Sequence, residues 1–336
     1  MTSRRRRISV SLLLSVTIFT ALPFILLLAS IGLRGDPLTL PSAPNPLITI
    51  TAEGLDFEAP IILAQGWTTL RFKNESSMTH FALLERLPDD KGIEDHQQEV
   101  APLFQQGLAL IMDGKPETAA ERFEQLPDWF EEVEFVGGPG LVAPGRTAQS
   151  TVQLEPGTYL IECYVKTNGV FHSYNPMPNS YGMVRQFTVR EGATQASEPE
   201  PSLELALSKK EGIKRIDEVP LRPGRHTVAV HFKDQMRHQN AVGHDVHLAK
   251  LDPSTRLDTL AAWMDWRQPH GLETPAPVSF VGGTNEMPAG ETAYFTVNLD
   301  PGRYVWVAEV PNPDAKGMMK PFSVPPEEEI TSRGEN

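Results

Sequence analysis

An internal repeat constrains this chain more than any other feature. FVGG stands at 135–138 and again at 280–283. QLEPGTYLIECYV at 153–165 returns at the same separation as NLDPGRYVWVAEV at 298–310. GMVRQFTV at 182–189 returns as GMMKPFSV at 317–324, but closer, so the second copy has lost a stretch between Val310 and Gly317. Upstream, GWTTLRFKN at 66–74 parallels GRHTVAVHFK at 224–233. A pattern written twice is expected to fold twice. The spacing predicts one domain over 46–192 and a second over 201–326, with a polar linker at 193–200 and an acidic tail at 327–336. Short alternating or β-branched runs at 47–52, 67–73, 79–85, 147–154, 158–165 and 183–190 are separated by Gly and Pro, which predicts an antiparallel sandwich. Two short amphipathic helices are expected within Asp95–Leu126 and one within Ser254–Trp266, each with an ordinary packing face.

The N-terminus carries a different signal. Arg4, Arg5, Arg6 and Arg7 precede an almost uncharged run from Ile8 to Leu33, long enough to cross ~30 Å of hydrocarbon as a helix. Residues 1–34 therefore read as a cytoplasmic basic stub with an uncleaved anchor, and 35–45 as a Pro-rich spacer. A cleaved signal peptide is the alternative. In the anchored reading the rest of the chain lies outside the cytoplasm, in the periplasm or extracellular space. The chain has 43 acids against 30 bases, and five of those bases lie in residues 1–34. So acidic an outer region repels phosphate backbones, which sets nucleic acid aside.

Cys163 is the only cysteine, so no internal disulfide exists. His80 lies near the end of an early strand, Cys163 closes a late one, His172 follows in the next loop, and Met183 opens the last strand. Two imidazoles, a thiolate and a weak axial thioether are the ligand chemistry of a mononuclear electron-transfer copper. Met177 is the alternative axial ligand. Glu162 adjoins Cys163 but points to the opposite face of its strand, and is left out of the set.

The segment 66–85, GWTTLRFKNESSMTHFALLE, resembles the strand and loop that supply the first His ligand in cupredoxins of the plastocyanin/azurin group. The segment 156–189, PGTYLIECYVKTNGVFHSYNPMPNSYGMVRQFTV, resembles their closing Cys–His–Met loop, though the loop here is longer than is usual in that family. The resemblance implies a mainly β chain of two tandem Greek-key β-sandwich domains with short helical insertions. It also implies one copper ion, cycling between Cu(I) and Cu(II), on His80, Cys163, His172 and Met183. His172 is expected to be the imidazole nearest the surface.

The second copy is expected to hold no copper. Ala308 stands where Cys163 does, and the missing stretch removes the counterpart of the His172 loop, while His244 and Met318 remain. A pair such as His244 and His247 is the weaker alternative for a metal site there. No nucleophile–His–acid set, phosphate loop or His-x-His pair is visible. The chain therefore reads as an electron carrier rather than an enzyme, with no catalytic residues. It is expected to meet an unidentified redox partner through a basic docking patch on that partner. Copper delivery or sensing without electron transfer, and an interaction module with a vestigial site, are the other two readings.

Overall fold

The computed structural model describes residues 45–177, 180–192, 196–217 and 220–327. The expected anchor lies outside them. Among the described residues, no helix is long and apolar enough to cross a membrane.

In the first half the strands are β1 Leu47–Glu53, β2 Asp56–Glu58, β3 Ile62–Ala64, β4 Gly66–Asn74, β5 Leu83–Leu87, β6 Glu134–Phe135, β7 Thr147–Leu154, β8 Gly157–Glu162, β9 Lys166–Thr167, β10 Val170–Phe171 and β11 Val184–Arg190. In the second they are β12 Leu203–Ser208, β13 Gly212–Arg215, β14 Gly224–Phe232, β15 Val246–Leu251, β16 Ser279–Thr284, β17 Thr292–Leu299, β18 Gly302–Val307 and β19 Met319–Val324. β4 shows why such runs become strands. Thr68, Leu70, Phe72 and Asn74 are buried while the residues between them are partly exposed, which is the period-two pattern of a half-covered sheet.

The same pairings occur in both halves. β1 runs parallel to β4, and β12 parallel to β14. β8 sits between β5 and β11, and β18 between β15 and β19. One sheet passes through both halves, in the order β13-β12-β14-β17-β7-β4-β1-β2, joined where Tyr294, Phe295 and Thr296 of β17 pair with β7. A five-stranded sheet (β3-β11-β8-β5-β6) faces it in the first half and a four-stranded sheet (β16-β15-β18-β19) in the second. The described residues form one compact unit.

The repeated FVGG segments lie against each other. Gly140 donates its N–H to the Gly283 carbonyl at 3.1 Å, Asn285 to Gly138 at 3.1 Å, and Gly137 to Glu286 at 2.8 Å. Gly138 (φ +97°) and Gly283 (φ +134°) sit in the region that favours glycine, and a Cβ on either would fall 2.2 Å from the carbonyl oxygen of Ala82 or Val246. Backbones approach too closely there for any side chain.

Between β5 and β6 the chain makes α1 Ile93–Asp95, a π-helical turn His96–Val100, α2 Ala101–Met112, α3 Pro116–Phe123 and a 3₁₀ turn Asp128–Glu132. Proline opens α2 and α3 where its missing N–H costs nothing. Phe104, Phe123 and Phe171 pack edge-on against Trp266 of the second half, with ring centroids 6.5, 6.2 and 5.5 Å away. Trp266 follows α4 Leu257–Trp263. The insertion is thus a wedge between the halves, beyond the local packing face expected of it.

Candidate metal centre

His80 lies in a short bridge to Val142, just before β5. The loop ahead of it is tied by Asn74, whose amide donates to the carbonyls of Met78 (2.7 Å) and Val142 (2.8 Å). Ser76 Oγ accepts from the Met78 N–H and lies 2.9 Å from His80 Nε2. Cys163 follows β8 immediately. Its N–H donates to the Met183 carbonyl, and the Met183 N–H donates to the His172 carbonyl at 2.8 Å. The backbone therefore clamps three of the four residues together. Gly182 (φ +63°) makes this possible, because a Cβ there would meet the His172 carbonyl oxygen at 2.4 Å.

The imidazoles of His80 and His172 and the Cys163 thiol lie together. His80 Nδ1 lies 3.2 Å from His172 Nδ1 and 3.5 Å from Cys163 Sγ. Exposure is 0% for His80, Cys163 and Met183 and 3% for His172. Met177 is 66% exposed, so of the two methionines only Met183 is in the interior beside the other three. Burial lowers His80 to about 4; burial and then the charge of His80 lower His172 to about 3. Burial pushes the Cys163 thiol up to about 12.

This donor set fits copper. Both Nε2 atoms are engaged by hydroxyls: His80 with Ser76, and His172 with Thr167 at 2.9 Å. With Nε2–H donating to those oxygens, each neutral ring would leave its Nδ1 lone pair free for a metal ion. Outer hydrogen bonds of this kind fix the tautomer of metal-ligating His.

His172, the imidazole expected nearest the surface, is 3% exposed against 0% for His80. Its Nε2 is covered by Thr167, whose hydroxyl bonds Thr274 of the second half at 2.8 Å. The Lys166 N–H donates to Leu272 O, and the Thr274 N–H to Lys166 O. The second half seals the edge that the first would leave open.

In the second half Ala308 and His244 are fully buried at the counterpart positions, and His244 Nε2 has no hydrogen-bond partner. His247 is otherwise engaged: Nδ1 accepts from the Leu141 N–H and Nε2 bonds Asp245 at 2.9 Å. It ties the halves together. Two further buried clusters escaped the sequence reading: Glu85, His96 and Glu162, and Asp245, His247 and Glu309. Glu85, His96 and Glu162 are spread along the chain, and Asp245 and His247 are joined only in the fold by the distant Glu309; Glu162 beside Cys163 and His247 were the members the sequence had singled out.

No protein-family model and no curated protein matches the sequence. Among solved structures, the chain is similar to auracyanin A, a blue copper protein from the green thermophilic photosynthetic bacterium Chloroflexus aurantiacus. That match has 20% identity over 43% of this chain and 98% of that one, with a TM-score of 0.25. A multicopper oxidase matches 84% of this chain and 92% of its own, at 12% identity and a TM-score of 0.20. The multi-copper oxidase from Pediococcus acidilactici matches 85% of this chain and 60% of its own, at 10% identity and a TM-score of 0.21. The strands of both halves make the chain mainly β, and the matched structures are copper proteins by their descriptions. The expectation of a carrier that is not an enzyme is withdrawn, since two of the matched structures are of multicopper oxidases.

Proposed function

We propose that this is a copper-binding electron-transfer protein in which His80, Cys163, His172 and Met183 hold one copper ion in a type-1-like site. The observation that carries this is the pair of facing Nδ1 atoms, 3.2 Å apart, with the chain's only thiol 3.5 Å from one of them, all in the interior. Copper bound there would supply a one-electron couple. The residues supply the rest: neutral nitrogens that suit both oxidation states, a thiolate and thioether that suit Cu(I), and a frame held by backbone bonds that resists rearrangement. Burial on every side supports retention of the ion over its delivery to another protein. The composition supports an anchored, outward-facing chain held by residues 8–33, meeting a redox partner with a basic patch. The two halves serve as fused cupredoxin-like domains, the second acting as a cover for the site.

The test is a pair of variants titrated with Cu(II) and Cu(I). Cys163→Ser is expected to abolish any intense visible charge-transfer band and to weaken copper binding far more than Met183→Leu does. Circular dichroism checks that both remain folded. If Cys163→Ser takes up copper as tightly as the unaltered chain, the thiol is only a core residue and the proposal fails.

A further inference from the structure

On the other side of the strand end that carries Cys163 lies a separate buried cluster. Glu85 is on β5, Glu162 ends β8, and His96 opens the π-helical turn of the insertion. Their ligand atoms all lie within 4.8 Å of one another. Exposure is 2% for Glu85 and His96 and 8% for Glu162. His96 Nε2 faces Glu162 Oε2 at 3.5 Å. Glu85 Oε2 is buried with no hydrogen-bond partner. The cluster opens onto a cavity of about 70 Å³, whose far wall is Arg237, Asn240, Trp266 and Glu286 of the second half.

Two carboxylates in one dry pocket repel each other, and each costs free energy to bury unless a cation or a proton compensates. A π turn inside a helix is also a feature that often accompanies a functional site. We propose that Glu85, His96 and Glu162 bind a divalent cation that takes oxygen and imidazole ligands, the class of Mn(II) and Fe(II). All three residues line that cavity, which has room for a few water molecules or one small ligand beside a bound ion. Nothing in this assignment depends on the copper site, although Glu162 and Cys163 are consecutive and place the two centres on opposite faces of the same strand end. A metal with open positions beside a redox copper is the kind of centre an enzyme role would use.

Mn(II) is the probe, because a thiolate site suits it poorly. The metal-free full-length chain is titrated with Mn(II), with free ion followed by EPR and unfolding temperature measured alongside. The unaltered chain and Cys163→Ser are both expected to bind one Mn(II) and to gain thermal stability from it. Glu85→Gln, close to isosteric, is expected to weaken binding by more than the roughly tenfold typical of losing an outer hydrogen-bond partner. His96→Gln is the second variant should the first misfold by circular dichroism. No bound Mn(II) in the folded unaltered chain would mean that a shared proton compensates the carboxylates, and would overturn the site. Unchanged binding in the folded variants would do the same. Loss of Mn(II) on Cys163→Ser alone would move the ion to the other centre.

Discussion

In the proposed copper site, Cys163 is the group that would lose a proton when metal enters. The thiol is pushed up to about 12, while His80 and His172 are held down to about 4 and about 3. Between about pH 5 and 9 both imidazoles are already neutral, and only the thiol has a proton to lose. Metal binding in that window should therefore release one proton. Copper affinity is expected to rise about tenfold per pH unit there, levelling off only as the thiol itself ionises. Titrations at three pH values in two buffers of different ionisation enthalpy measure the proton count. Release of two or three protons would mean that the imidazoles are charged before metal enters. At the same scale, each repeated glycine has a physical reason. Gly138 and Gly283 are where backbones touch, and Gly182 lets the last strand pass under His172.

The element that does most for the centre is the short β9–β10 turn with the segment 272–274 laid against it. Lys166, fully buried, donates its ammonium to the carbonyls of Trp266 (2.7 Å) and Gln268 (3.2 Å), and Trp263 Nε1 donates to the Glu273 carbonyl. Thr167 is the contact between this seal and the site, because its hydroxyl bonds both His172 and Thr274. Thr167→Val keeps the volume and removes the hydroxyl. It is expected to lower copper affinity by ~10–100-fold, as loss of a partner behind a ligating His does. The optical spectrum should keep its band with a shifted position, since the ligands themselves remain. An unchanged affinity would show that His172 is oriented by packing alone. The insertion is the other element whose role is not local. Its Phe104 and Phe123 pack on Trp266, so helices of one half are held by the other.

For the molecule as a whole, the joint between the halves carries acids that would be exposed if the halves parted. Glu286 is fully shielded, and burial, with Asp245 adding to it, raises its carboxyl to about 8; the Gly243 N–H and Arg237 oppose this less strongly. In the unfolded chain the group titrates near 4.5. Between those values the folded state holds one more proton than the unfolded state, so this group's contribution to stability falls as pH rises from about 4.5 to about 8. Glu286→Gln removes that dependence. The stability of the variant relative to the unaltered chain is expected to climb over the same interval, measured by urea unfolding at pH 5, 6.5 and 8. A difference that stays flat with pH would mean that Glu286 is ionised in the folded state.

The local periodicities and the repeat were legible in the sequence because they are written in neighbouring residues. Alternation set the faces of β4 and β7, and the order His80, Cys163, His172, Met183 pointed to one donor set, of which His80, Cys163 and His172 lie together. What neighbouring residues cannot express is which surfaces meet. The single sheet through β7 and β17, the pairing of the two FVGG segments and the seal over His172 each join residues about a hundred or more positions apart. The Glu85, His96 and Glu162 cluster is likewise a product of the fold, assembled from a strand, a helical insertion and the end of another strand. Burial made that cluster chemically distinctive, and burial depends on how the halves pack, which only the tertiary structure decides.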